Sequence, residues 1–323
     1  MSRFGEYTHE IEAGIQCVKP AIELSLVAQQ KLQASQIEKK SDGTVVSICD
    51  FAVQTLIMKG IHEHFPGDII LGEEDVSHGD QFFIDSVKSI LPGNIDPVSE
   101  CKDCISSITD DMHRVWVIDP IDGTYGFIIN KNYAIAMALL IDLKVVASIV
   151  AWPRHQPESS GIPVNGPLIF VSALGHGSYA VDMQDNYYPI NKNPSPRNRL
   201  VHSEQAKGKH LELTQYILKK LDIPESMAMV SMTKGFTIAT GQNCVYVRLR
   251  EVDDEHVWDI APFEMLVREA GGFATTPDGK QMVYTKEGRV ANTKDGILFS
   301  CRDEKFHQDV LNAFKEAHQK FYS

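Results

Sequence analysis

The fold is decided by one stretch of the sequence, Val115-Trp116-Val117-Ile118-Asp119-Pro120-Ile121-Asp122-Gly123-Thr124. Its apolar run predicts a buried strand, and Pro120 with Gly123 predicts the turn that closes this strand. Asp119 and Asp122, three positions apart, then stand at the strand end and repel each other unless cations neutralise them. A hard divalent metal is therefore the first hypothesis, although on its own such a sequence is usually a plain turn.

Composition is that of an ordinary globular protein of 323 residues, 43% hydrophobic and 23% charged, long enough for one large domain or two modest ones. No apolar run approaches the ~20 residues that span a bilayer, and the polar N-terminus lacks the apolar core of a signal peptide, so we expect no membrane partner. The net charge of −12 argues against a nucleic-acid polymer but allows a small phosphorylated ligand. No heptad or exposed apolar stripe indicates an obligate protein partner.

The six cysteines are scattered, and only Cys101 and Cys104 form a Cys-x-x-Cys. No second pair or nearby histidine cluster completes a zinc site, so we interpret the pair as reduced thiols with no special role. Scattered, reduced cysteines favour a reducing compartment, with the cytoplasm as the default location.

Hydrophobic periodicity predicts a mixture of helices and strands. The predicted helices cover residues 10–38, with a kink or break at Pro20, and 47–65, 80–90, 210–221, 259–270 and 304–321. The predicted strands cover 69–71, 133–140 and 145–152 as a hairpin, 168–173, 227–231 and 243–249. Segment 76–114 is interpreted as an insertion or lid, and the turn-rich segment 191–198 as the best linker. The pattern indicates a mixed α and β protein in two layered halves.

Three further acidic residues have ordinary explanations when each is taken singly. Asp50 follows Ser47 by three positions, which is the spacing of a helix capping box. Glu73, in the run Gly72-Glu73-Glu74-Asp75, fits a solvated acidic turn. Asp259, in Trp258-Asp259-Ile260-Ala261-Pro262, fits a helix N-cap followed by proline in the first turn.

Taken together with Asp119 and Asp122, these residues would form an all-oxygen site if the chain brings them together. Such ligands suit magnesium or calcium rather than zinc or copper. About five acids fit two or three magnesium ions better than one, because each ion keeps several waters. The backbone N–H groups of Gly123 and Thr124, at a turn that leads into a helix, would donate to a phosphate.

Three motifs in this order, Gly-Glu-Glu at 72–74, Asp-Pro-Ile-Asp-Gly-Thr at 119–124 and Trp-Asp-x-Ala-Pro at 258–262, resemble the signature of the lithium-sensitive, magnesium-dependent phosphatase superfamily that includes inositol monophosphatase. The resemblance covers nearly the whole chain. It implies an α+β fold, the layered α-β-α-β-α sandwich of that superfamily. We expect an N-terminal α+β domain over 1–180 with most metal ligands, and a C-terminal α/β domain over 181–323 with the substrate contacts and Asp259.

The resemblance also implies roles for individual residues. The implied metal ligands are Glu73, Asp119, the Ile121 carbonyl, Asp122 and Asp259. Asp50 with Thr124 would orient and deprotonate the attacking water, which is chemically reasonable because such a pair accepts a proton without becoming a metal ligand. The metals would stabilise the entering hydroxide and the leaving oxygen during in-line displacement at phosphorus.

Within the superfamily, the chain is similar to the 3′(2′),5′-bisphosphate nucleotidases in its length, its 76–114 insertion and the Gly-Phe at 126–127. Their nucleotide-binding Ser-x-x-Lys and Tyr-x-Arg-Leu motifs match 231–234 and 246–249, and a Lys-Gly-His-like segment matches 207–210. The implied substrate contacts are Gly123, Thr124, Lys209, His210, Ser231, Lys234, Arg248 and Asp259. The basic residues of this set form the cluster of positive charge that a substrate with two phosphates requires. Taken singly, Lys234 and Arg248 also fit solvated surface charges.

The sequence departs from the nucleotidase pattern at two places, so the identity of the substrate stays open. Segment 42–47, Asp-Gly-Thr-Val-Val-Ser, lacks the proline of the usual Asp-x-Ser-Pro-Val-Thr, and Tyr125 replaces the lysine of nucleotidases with the tyrosine of inositol polyphosphate 1-phosphatases. The leading hypothesis is a Mg²⁺-dependent phosphatase that releases the 3′-phosphate of adenosine 3′,5′-bisphosphate, and also of 3′-phosphoadenylyl sulfate. The alternatives are an inositol 1,4-bisphosphate phosphatase, a dual-specificity enzyme, and a silent nucleotide-binding regulator, which the intact ligand set disfavours.

Overall fold

The computed structural model describes residues 2–31, 37–39, 45–75, 81–190, 196–249, 255–301 and 303–322. The helices in these ranges, after a short 3₁₀ turn at Gly5–Tyr7, are α1 (Thr8–Lys31), α2 (Ile48–His64), α3 (Gln81–Ile90), α4 (Pro97–Cys101), α5 (Thr124–Ile128), α6 (Pro157–Ser160), α7 (Lys209–Lys220), α8 (Lys234–Ala239), α9 (Val257–Glu269) and α10 (Glu304–Tyr322). Among them there is none whose length and apolar content would let it cross a membrane.

The strands of the described ranges form a two-stranded, a seven-stranded and a five-stranded sheet. The pair is β1 (Ile37–Lys39) with β2 (Val45–Ser47). The first large sheet, in sequential order, contains β3 (Ile69–Gly72), β4 (Arg114–Asp122), β5 (Ala134–Ile141), β6 (Lys144–Trp152), β7 (Leu168–Ala173), β8 (Gly177–Asp182) and β9 (Tyr187–Ile190). The second, in the order β11-β10-β12-β14-β13, contains β10 (Arg199–Ser203), β11 (Glu225–Met229), β12 (Val245–Arg248), β13 (Phe273–Thr275) and β14 (Ile297–Ser300).

The first sheet is covered by helices on both faces. Alternate residues of β4 belong to two cores, because successive side chains of a strand point to opposite faces. Trp116 and Ile118 pack in the core that includes α1 and α2, while Val115 and Val117 pack in the core that includes α9. This explains why β4 is an unbroken apolar run rather than an alternating one.

The helices α8 and α9 separate the two large sheets, and α7 and α10 pack together beyond the second sheet. The layers therefore follow the order helices, sheet, helices, sheet, helices, and the predicted α+β sandwich is confirmed. Both β8 and β9 pair within the first sheet, so the chain passes from one sheet to the other between residues 190 and 199. The division into domains at 180 stays a prediction.

Five of the six predicted helices and the central hairpin follow the sequence prediction closely. The hairpin turns at Asp142 and Leu143, which both have positive φ as its two-residue turn requires. The predicted helix over 10–38 is too long, because residues 37–39 form β1, and Pro20 does not end α1. Its neighbours Val18, Ala21 and Ile22 are fully buried, and this packing holds the helix together across the missing hydrogen bond. Residues 42–44 and 191–195 of the predicted loops lie outside the described residues.

Candidate active site

Strand β4 brings Asp119 and Asp122 to the same side of the first sheet. Asp119 pairs with Ala136 and Asp122 with Ala134, so three steps along β4 oppose two steps along β5. Side chains three positions apart normally point to opposite faces, and a one-residue bulge returns them to one face. The predicted strand end at Pro120 is therefore wrong: β4 continues to Asp122, and Pro120, which has no N–H to donate, lies inside the bulge.

Two further carboxylates join this pair. Asp259 comes from α9, and one oxygen from each of Asp119, Asp122 and Asp259 lies within 4.8 Å of the others. Glu73, directly after β3, lies close enough to Asp119 to raise the pKa of that carboxyl. Asp259 is not the N-cap that the sequence suggested, since His256 caps α9 and Asp259 lies in its first turn, where the helix dipole favours a negative charge.

The electrostatics of this carboxylate cluster are those of a cation site. Burial, followed by the charges of Glu73, Asp122 and Asp259, raises the pKa of Asp119 well above its ordinary value. Burial and Asp259 raise the pKa of Asp122 to about 6, against the opposing effects of the Met232 N–H and Lys234. Among the described residues, the buried Oδ1 of Asp119 has no hydrogen-bond partner. Hard oxygen donors that repel one another in this way fit Mg²⁺.

The turn after β4 is shaped by Gly123. Its φ is +88°, and a Cβ at this position would overlap the Cβ of Ser231, so only glycine fits. Gly123 caps α5, which begins at Thr124. The Thr124 hydroxyl donates to the Ile121 carbonyl at 3.2 Å, and that carbonyl keeps a second lone pair for a ligand.

Asp50 lies in the first turn of α2 and is 1% exposed. Helix α2 packs against β4, the strand that carries Asp119 and Asp122. A carboxylate buried this deeply on a helix that packs beside the cluster is consistent with the predicted role as proton acceptor. That role, with Thr124, stays a prediction.

A second set of residues follows β11 and faces the cluster. The Met232 N–H donates to Asp122 Oδ2 at 2.6 Å, and a hydrogen bond from Ser231 also lowers the pKa of Asp122. Lys234 is 3% exposed, and its ammonium donates to the carbonyls of Met229 (3.3 Å) and Ser231. Burial lowers the pKa of Lys234 to about 7, with Asp122 acting in the opposite direction and Arg248 in the same one. Lys234 is therefore not a solvated surface charge.

Arg248, at the end of β12, completes this basic set. Its Nε lies 2.7 Å from Oε1 of Glu255, which is fully buried, and one terminal nitrogen donates to the sulfur of Met232 at 3.3 Å. Burial alone would lower the pKa of Arg248, but Glu255 and the other nearby acids outweigh it and raise the pKa. The guanidinium is thus held charged and in a fixed orientation.

One pocket of about 370 Å³ joins the two sets. Asp122, Gly123 and Asp259 line it together with Ser231, Lys234 and Arg248, and its remaining lining residues include His202, Gln205, Ala206, His210, Leu213, Thr214 and Leu249. Sequence reasoning found His210 but missed His202 and Gln205, which belong to no motif. Lys209 does not line this pocket, since its ammonium lies 4.8 Å from the ring centre of Tyr322. Tyr125 is 54% exposed and does not line it either.

Solved structures share this layered α-β-α-β-α sandwich. An inositol monophosphatase from Thermotoga maritima matches with a TM-score of 0.64 and 19% identity over 97% of this chain and 99% of that one. An IMPase/NADP phosphatase solved with NADP and Ca²⁺ matches with a TM-score of 0.64 and 17% identity over 94% of this chain and 93% of that one.

The model of the inositol monophosphatase family matches residues 7–319, and the chain belongs to this family. The chain is 30% identical to the 3′(2′),5′-bisphosphate nucleotidase of Dictyostelium discoideum, over 94% of this chain and 96% of the relative. It is 26% identical to 3′,5′-bisphosphate nucleotidase 2 of Arabidopsis thaliana, over 96% and 97%. The resemblance inferred from the three sequence motifs is confirmed, and the chain is a phosphatase-family enzyme.

Proposed function

We propose that this chain is a Mg²⁺-dependent phosphomonoesterase that removes the 3′-phosphate of adenosine 3′,5′-bisphosphate and leaves AMP. One observation carries the proposal: Asp122 and Asp259 of the carboxylate cluster line the same pocket as the fixed cations Lys234 and Arg248. The first attracts the metals that phosphoryl transfer needs, and the second suits a substrate with another anionic group. The names of the relatives point to the same reaction.

The residues divide the chemistry between them. Two or three Mg²⁺ ions, held by Glu73, Asp119, the Ile121 carbonyl, Asp122 and Asp259, would supply the positive charge that stabilises the attacking and leaving oxygens. Asp50 and Thr124 accept the proton of the attacking water. The backbone N–H groups of Gly123 and Thr124 donate to the phosphate that is removed. Ser231, Lys234 and Arg248, with His210, hold the rest of the substrate.

The lining of the pocket supports a nucleotide as the substrate. His202, Gln205 and His210 line the pocket together with Ala206 and Leu249. A flat purine base can stack on an imidazole and hydrogen-bond to an amide, whereas an inositol ring has no aromatic face to stack. The sulfated nucleotide 3′-phosphoadenylyl sulfate offers the same base and 3′-phosphate, so we include it as a substrate.

The test is phosphate release from adenosine 3′,5′-bisphosphate, 3′-phosphoadenylyl sulfate and inositol 1,4-bisphosphate, measured side by side with Mg²⁺. We expect both nucleotides to be hydrolysed faster than the inositol compound, with loss of turnover after chelation and inhibition by millimolar lithium. Hydrolysis of the inositol compound alone would overturn the nucleotide assignment. No hydrolysis of any of the three, with nucleotide still bound, would instead indicate a silent regulator.

A further inference from the structure

The chain segment that carries Glu73 is held by a residue outside the pocket, Gln54 of α2. Gln54 is fully buried. Its Nε2 donates to the Glu74 carbonyl at 2.7 Å, and its Oε1 accepts the Glu74 N–H at 2.9 Å. The side-chain amide therefore bonds both backbone groups of one residue, as a neighbouring strand would, and fixes the position and the rotation of the backbone next to Glu73.

The two preceding backbone N–H groups are fixed as well. The Gly72 N–H donates to Cys104 Sγ at 3.2 Å, and the Glu73 N–H donates to the Ile118 carbonyl of β4 at 3.0 Å. A Cβ on Gly72 would lie 2.6 Å from Gln54 Oε1, because the amide of Gln54 packs flat against this glycine. The glycine of the Gly-Glu-Glu motif is thus explained by Gln54.

Gln54 also connects this segment to Asp50. The two residues are four positions apart in α2, so they lie one helical turn apart on the same face. The helix that carries the proposed proton acceptor therefore also fixes the segment of the proposed metal ligand Glu73. Movement of the Glu74 backbone away from α2 would break both Gln54 hydrogen bonds.

We propose that Gln54 is a positioning residue that sets Glu73 relative to Asp50 and thereby determines the affinity of the site for divalent cations. The proposal rests on the proposed function, in which Glu73 is a metal ligand. Residues that orient a ligand from behind typically change metal affinity about 10- to 100-fold when they are replaced.

The direct test is calorimetric titration of the metal-stripped protein with Mg²⁺ and Mn²⁺. Gln54→Met removes both hydrogen bonds and keeps the size of the side chain, and we expect it to raise Kd about 10- to 100-fold. The substrate KM at saturating Mg²⁺ stays within about twofold, because the basic residues are untouched. Gln54→Ala also removes both hydrogen bonds, with a smaller side chain, so we expect a comparable rise in Kd, and this variant replaces Gln54→Met as the test if Gln54→Met does not fold.

The matched control is Thr55→Val at the neighbouring position. Thr55 is also fully buried, but its hydroxyl donates to Phe51 of its own helix at 2.7 Å. We expect Thr55→Val to lower stability and leave the metal Kd unchanged. If Gln54→Met and Gln54→Ala bind metal as the wild type does, the positioning role is wrong. If the wild type itself binds no divalent cation, the proposed function fails first, so the two failures are distinguishable.

A double-mutant cycle with Gly72 gives an independent result. Gly72→Ala alone forces the Gln54 amide away from Glu74, so we expect its metal Kd to rise as for Gln54→Met. In a Gln54→Ala background the new methyl group has space, and Gly72→Ala should add less than about twofold. Additive effects of the two substitutions would show that Gly72 and Gln54 act separately and would contradict the proposal.

Discussion

The two sides of the pocket differ in how the protein stabilises their charges. The acidic wall is the carboxylate cluster, of which Asp122 and Asp259 line the pocket and Asp119 adjoins them, and burial with neighbouring carboxylates raises the pKa of Asp119 and Asp122. In the basic wall, formed by Ser231, Lys234 and Arg248, the protein itself provides the partners: Lys234 donates to two carbonyls and Arg248 pairs with Glu255.

The difference assigns a different task to each wall. In the proposed function, cations offset the repulsion between the ionised carboxylates of the acidic wall, and this wall determines the reaction. The cations of the basic wall are already oriented by their partners within the protein, so in the proposed function this wall selects the substrate and binds it at little cost in side-chain entropy. Removing a charge should therefore affect turnover at the first wall and substrate affinity at the second.

The largest effect is expected for Asp119→Asn. It preserves shape and removes a ligand charge, so kcat should fall by at least about 10³-fold in a phosphate-release assay. Asp182→Asn is the control, since Asp182 is also buried but accepts the N–H groups of Gln184 and Asn186 within its own turn. It should cost stability and leave kcat intact, and a comparable loss of kcat in both variants would contradict the assignment.

At the basic wall, Arg248→Lys keeps the charge but loses the planar geometry that contacts both Glu255 and the pocket. We expect KM for adenosine 3′,5′-bisphosphate to rise about tenfold and kcat to change less than about threefold. Arg268→Lys, in an ion pair with Glu264 elsewhere on α9, is the control and should leave both constants unchanged. A kcat effect as large as that of Asp119→Asn would break the separation between the walls.

The pH dependence of stability and of Mg²⁺ affinity tests the acidic wall separately from the basic wall. The pKa of Asp122 is raised to about 6, above its unfolded value, so the stability of the metal-free fold is greatest below pH 4 for this group and falls as pH rises through 6. Metal binding requires the ionised form, so Mg²⁺ affinity should weaken by up to about tenfold per pH unit below pH 6. Calorimetry between pH 5 and 7.5 checks this, and a pH-independent Kd would contradict it.

The smallest effect is expected at Tyr125. Its side chain is 54% exposed and does not line the pocket. Tyr125→Lys should change the ratio of kcat/KM between the nucleotide and inositol substrates by less than about threefold. A larger change would mean that the substrate extends beyond the two walls and contacts the side chain of Tyr125.

The sequence predicted what depends on local motifs. The carboxylates at 73, 119, 122 and 259 could be found because each stands in a short conspicuous motif. The bulge in β4 could not, since it depends on the register against β5. Neither could the position of Lys209 against Tyr322, because α10 is distant in sequence.

Gln54 is the clearest example of a residue whose role local motifs could not predict. Its role depends on a contact between α2 and the segment after β3, and nothing in its own neighbourhood marks it. His202 likewise reaches the pocket only because β10 lies between β11 and β12 in the second sheet. The positions of Gln54 and His202 depend on contacts between segments that are distant in sequence. A single sequence shows no motif for such contacts.

The central claim is that the acidic wall is a metal site whose carboxylates destabilise the fold until cations bind. The most direct measurement compares the melting temperature of the wild type and Asp119→Asn, first with a chelator and then with Mg²⁺. We predict that the variant is the more stable protein under chelation, and that Mg²⁺ at 100 times its Kd stabilises only the wild type, by about 2.7 kcal/mol. A wild type that is more stable than the variant under chelation, or equal Mg²⁺ shifts in both, would contradict the claim.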